Sequence, residues 1–139
     1  MANPLIANYD TSKIFVRDNQ FQTGTYTNPE GDDVTLLKGT VMGRIASTNK
    51  LLPLESTASD GSQFPIGILA DNYTVGYTES ATLTFCKAGD VVESKIIFAN
   101  GTDTVNTVVS TRTLGDRIQG DSLGINLVGG DQLTNYDNQ

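Results

Sequence analysis

Four short stretches carry side chains of the types that do chemistry: Asp32-Asp33, Asp60-Gly61, Cys86 and Ser94-Lys95. The two acidic stretches have the charge for holding a cation or for general acid–base work. Neither follows the spaced Asp-x-Asp-x-Asp-Gly pattern of a calcium loop, and both sit where a turn favours Asp. They are read as turns. Ser94-Lys95 has the residue types of a serine–lysine dyad, but neighbours in a strand point to opposite faces and cannot readily meet. Cys86 ends the alternating run Ala81-Thr82-Leu83-Thr84-Phe85-Cys86, which predicts a buried, inert thiol in a strand. Gly115-Asp116-Arg117-Ile118-Gln119-Gly120 lacks the G-x-x-x-x-G-K-[ST] string and a preceding strand, so no phosphate cradle is expected there.

The partners such residues would need are missing. The chain has no His, which removes the commonest general base and the commonest transition-metal ligand. Ser-His-Asp, Cys-His and His-ligated zinc chemistry go with it. One Cys excludes an intramolecular disulfide and a Cys-based zinc knuckle. A glycosidase-like pair would need two acids converging in a cleft, and there is no Trp to stack a sugar. The sequence reads as a non-enzyme, with no cofactor and no metal.

The elements that position these residues belong to a chain of 139 residues, enough for one domain with a real core. Sixteen acidic against nine basic residues give a formal charge of -7. Such a surface repels phosphates and anionic lipids, so neither nucleic acid nor membrane is expected as a partner. The first residues lack a basic stretch followed by an apolar one, and no run reaches the about 18 apolar residues that span a bilayer. Synthesis and folding in a cytoplasm are expected.

Strand-prone runs recur between turn residues. They are Lys13 to Arg17, Phe21 to Tyr26, Val34 to Leu37, Thr40 to Ile45, Leu51 to Glu55, Ile66 to Asp71, Ala81 to Ala88 and Val91-Val92. Ile66 and Ile68 share one face while Gly67 and Leu69 share the other, which predicts a strand buried on both sides. Gly67 would let a neighbour approach its backbone closely. Near the C-terminus, Asp103 has the type of a helix cap, with Val105, Val108 and Val109 on one face and Leu114 and Ile118 continuing it. Gly124 is placed as a left-handed helix cap before a strand, Ile125 to Val128. The fold class is mainly β (α+β): a small β-rich domain with one short C-terminal helix and a final strand.

The most distinctive segment runs from Lys38-Gly39-Thr40-Val41-Met42-Gly43-Arg44-Ile45 through Asn49-Lys50-Leu51-Leu52-Pro53-Leu54 and Ser59-Asp60-Gly61 to Pro65-Ile66-Gly67-Ile68-Leu69-Ala70. In order and spacing it resembles the head decoration proteins of tailed bacteriophages, the family of the lambda capsid-stabilising protein. Ala81 to Gly89 resembles that family's next strand and its closing Lys-x-Gly turn. Leu123 to Val128 resembles its last strand.

The resemblance implies a structural virion protein on the outer surface of an icosahedral head, assembled in a host bacterial cytoplasm. It implies a homotrimer bound to the major capsid protein through an extended N-terminal arm. On this reading residues 1–26 form the arm, 27–128 the β-rich decoration domain and 129–139 a polar tail open to another head-surface protein. Leu5, Ile6, Tyr9, Ile14, Phe15 and Val16 are the candidate capsid-binding residues. The strand-like content of residues 13–26 departs from the family's usual arm, so Ile14-Phe15-Val16 reads equally as an ordinary core strand. The rival reading is a carbohydrate- or receptor-binding module of a phage fibre or head appendage, with Tyr26, Tyr73 and Tyr77 as its aromatic candidates.

Overall fold

A computed structural model describes residues 14–29, 31–120 and 123–129. Over these residues the strands in chain order are β1 (Phe15–Thr27), β2 (Val34–Leu36), β3 (Val41–Arg44), β4 (Leu51–Pro53) and β5 (Gly67–Leu69). They continue with β6 (Tyr73–Val75), β7 (Ser80–Val92), β8 (Val108–Val109), β9 (Arg112–Thr113) and β10 (Gly124–Val128). A 3-10 turn spans Glu93–Lys95 and an α-helix spans Leu114–Gln119. The fold is mainly β with one short helix near the C-terminus and a final strand.

The main sheet runs in the order β1-β7-β5-β3-β4, antiparallel throughout, and β10 joins β7 in parallel. It curls until β4 approaches β1, where a Cβ on Gly24 would touch the Leu51 side chain at 3.0 Å. The inner strands carry apolar residues on consecutive positions rather than alternate ones. Val41, Ile68 and Cys86 belong to one core cluster with Leu54, Val91, Val109, Leu114, Ile118 and Ile125. Their chain neighbours Met42, Leu69 and Phe85 belong to a second, with Tyr26, Leu36, Leu51, Val75 and Leu83. Successive strand side chains point to opposite faces, so this sheet has an apolar layer on each side. The β5 strand is buried along its whole length, as Ile66 to Leu69 predicted.

Several expectations need correction. No helix starts at Asp103. Its carboxylate instead accepts from the backbone N–H of Ser56 at 2.9 Å, the Ser56 hydroxyl at 2.6 Å and the Asn100 amide at 2.7 Å. Eight of the twelve residues 102–113 are Thr or Val, which lose rotamer freedom in a helix. The segment forms the β8–β9 hairpin, turned through Ser110 and Thr111, both at positive φ. The helix begins only at Leu114, capped by the Thr113 hydroxyl accepting from the Asp116 N–H.

Gly124 does not cap that helix; it opens β10 opposite Ala88. The expected turn at Lys87-Ala88-Gly89 is absent, because β7 runs straight through it. Gly89, at φ 107, lies against a bulged stretch of β1, with Arg17 and Asp18 oxygens under 3 Å from where a Cβ would be. Ser94-Lys95 lies in the exposed 3-10 turn and not in a strand. β6 had no counterpart among the predicted strands and pairs with β2 as a separate two-stranded ribbon.

Candidate functional site

The carboxylate turns are structural. Asp60 accepts from the hydroxyl of Ser62 at 2.6 Å and from its N–H at 3.0 Å, which lowers its pKa, and Gly61 follows at φ 109. Asp32 and Asp33 are exposed, and the Asp32 carbonyl accepts from the buried Asn28 amide. That amide also donates to Val75 and Gly76, so it ties the end of β1 to the ribbon. Burial pushes the Cys86 thiol upward in pKa, against the weaker pull of hydrogen bonds from its neighbours, as an inert core thiol requires. Among the described residues, no group of three or more His, Cys, Asp and Glu is placed to hold a metal ion. No helix among them is long and apolar enough to cross a membrane.

The candidate capsid-binding residues divide into two sets. Leu5, Ile6 and Tyr9 lie outside the described residues. Ile14, Phe15 and Val16 stand at the start of β1, partly buried and tied to the domain. The Ile14 carbonyl accepts from the Val92 N–H at 2.9 Å, and the Ile14 side chain reaches the backbone at Gly39. Ile14 and Phe15 pack against the first core cluster, and Val16 packs with Val92 and Val128. Pairing with β7 runs along the whole of β1, from Phe15–Val91 to Thr27–Ser80. Residues 15–27 are thus part of the sheet.

Around that start lie residues the sequence did not single out. The Phe21 ring stands edge-on to Phe15, with centroids 5.6 Å apart, and is 48% exposed. The Lys38 ammonium sits 5.8 Å from the Phe15 centroid, and its neighbour Leu37 is 50% exposed. Just along β1, Arg17 pairs with Asp90 at 2.8 Å, and Asn126 from β10 donates to the same carboxylate. Exposed apolar side chains, Phe21 and Leu37, and the charged Lys38, Arg17 and Asp90 thus stand near the start of β1. Of the three tyrosines, Tyr26 is buried and the Tyr73 hydroxyl accepts from the Thr84 N–H. Tyr77 alone of them is largely exposed, at 56%.

The fold is a β domain whose main sheet carries an apolar layer on each face. The chain belongs to the family of bacteriophage lambda head decoration protein D, whose family model matches residues 13–117. It is therefore a phage head decoration protein with a structural role in the capsid. A comparison with curated protein sequences finds no match. The family match begins at Lys13, where β1 is about to start, so β1 falls within the shared domain.

Proposed function

We propose that this protein binds the major capsid protein on the outside of an icosahedral phage head and stabilises the shell as a homotrimer. The observation that carries this reading is the family match across β1 to the C-terminal helix. Residues 1–13 would serve as the attaching arm, adding to a strand of the capsid protein through main-chain hydrogen bonds. Leu5, Ile6 and Tyr9 would fill pockets on the capsid protein. Ile14, Phe15 and Val16 would carry the apolar contact up to the domain, where Phe21 and Leu37 extend it.

Three arms on one trimer, each binding modestly, give a high combined affinity through effective concentration. Linking neighbouring capsomers in this way resists the outward pressure of packaged DNA without any chemistry. An acidic surface suits a protein that faces away from that DNA. Assembly takes place in the host bacterial cytoplasm, and residues 129–139 are available to a second head-surface protein. A carbohydrate-binding module is less well supported, because Tyr26 and Tyr73 do not join Tyr77 in an exposed platform.

Co-sedimentation tests the reading. The full chain is expected to travel with expanded, DNA-free heads of its own phage, and a chain lacking residues 1–13 is expected to stay in the supernatant. Binding to a glycan array with no binding to heads would favour the fibre module instead.

A further inference from the structure

Asn100-Gly101 is the one Asn-Gly pair in the sequence. In a free peptide such a pair converts itself, because glycine leaves the backbone nitrogen unhindered and free to rotate toward the asparagine side chain. In this fold every group the reaction needs is held elsewhere. The Asn100 amide nitrogen donates to Asp103 Oδ2 at 2.7 Å and to Glu55 Oε1 at 3.1 Å. Its oxygen accepts from the N–H groups of Thr102 at 3.0 Å and Asp103 at 2.9 Å. The N–H of Gly101, which would have to attack, donates to the Phe98 carbonyl at 3.0 Å. Asp103 is in turn fixed by the Ser56 hydroxyl and N–H.

We propose that Asn100 is a guarded self-deamidation site, kept unreacted by the Glu55–Ser56–Asp103 cluster and converted when that cluster opens. The deprotonated Gly101 nitrogen forms a bond to the Asn100 side-chain carbonyl carbon. The bond from that carbon to the amide nitrogen breaks, and the nitrogen leaves as ammonia with the proton taken from Gly101. Water then adds across the cyclic imide and leaves aspartate or isoaspartate at position 100. No oxidant or reductant is involved.

The product is a carboxylate where an amide donated. It faces Asp103 and Glu55 with no proton to offer either, so three negative charges crowd one partly buried site. The contact between the turn at residues 55–57 and the segment at 98–104 is then lost. The step is one-way, and it makes this loop a place where the protein records its age.

The test compares the folded full chain with the isolated peptide 96–112 at mildly alkaline pH, with conversion at position 100 located by fragmentation mass spectrometry. Local protection in the fold predicts conversion at least about tenfold slower than in the peptide. Ser56→Ala and Glu55→Gln are expected to raise the folded rate several-fold. Equal rates in the folded chain and the peptide would overturn the guard. Asn100→Asp supplies the product directly. It is expected to lower the thermal midpoint at neutral pH, with the deficit closing below about pH 4 as carboxylates protonate. An Asn100→Asp chain as stable as the parent at neutral pH would overturn the loss of the contact.

Discussion

A Cβ on Gly67 would stand 2.7 Å from the carbonyl oxygen of Cys86 and would run into the ring of Phe85. This closeness lets β5 lie against β7 with Ile68 feeding one core cluster and Leu69 the other. Gly67→Ala forces the two strands apart, and overpacking of this kind costs about 1–3 kcal/mol. Equilibrium urea unfolding is expected to show that loss. An unchanged midpoint would mean the strands have room the geometry denies.

The Arg117 side chain is buried. Its guanidinium donates to the Val109 carbonyl at 2.6 and 3.0 Å and to the Ser110 carbonyl at 3.0 Å, and lies 4.9 Å from the Phe64 ring centroid. These bonds hold a hairpin whose two turn residues, Ser110 and Thr111, sit in the left-handed region. Lysine cannot reproduce the fork, so Arg117→Lys is expected to cost about 1–3 kcal/mol. Limited proteolysis should then cut first within residues 108–113. Cleavage elsewhere first would show that the hairpin is held by something other than Arg117.

Burial raises the pKa of Asp103, but the hydroxyl and N–H of Ser56 and the Asn100 amide outweigh it, and the net shift is downward. A carboxyl with a depressed folded pKa stabilises above its unfolded value of about 3.9 and loses that contribution as pH falls through the folded value. Asp103→Asn is expected to be less stable than the parent at pH 7, by about 1–3 kcal/mol. The two proteins should converge in strong acid. Urea midpoints across that pH range decide it, and a gap that persists unchanged into strong acid would contradict the assignment.

The Cys86 thiol is fully buried, and its Sγ bonds with the Ala88 carbonyl and the Asn19 amide. With its pKa raised, little thiolate exists near neutral pH. A thiol-reactive chromophore is expected to label the unfolded chain promptly and the native chain only at the rate of opening. Prompt labelling of the native protein would show that β7 is more accessible than its packing implies.

Much of the sheet was legible because its signals are local. The unbroken apolar run at Ile66 to Leu69, the Asp60-Gly61 turn and the strand at Ile125 to Val128 each carry their reason within a few residues. The helix from Asp103 failed for the opposite reason. Valines at 105, 108 and 109 imitate a helical face, while the bonds that decide the matter join Asp103 to Ser56, 47 positions away. Likewise, Gly89 reads as a turn until β1 is seen bulging around it. β6 owes its place to its pairing with β2, whose Thr35 meets Thr74, 39 positions along the chain. At the candidate site, Phe15 was legible as an apolar residue near the N-terminus. Its meeting with Phe21 and Lys38 depends on the bulge in β1 and on the path of the chain past Gly39, neither of which a local pattern encodes.

The proposed function puts this protein on the outside of a phage head, held by its N-terminal arm. A cryo-EM map of expanded heads incubated with the full chain tests it most directly. Three-fold clusters of the β domain are expected on the outer surface, with density from residues 1–13 running alongside a strand of the major capsid protein. Bare shells, or density attached by another face with the arm pointing away, would contradict it.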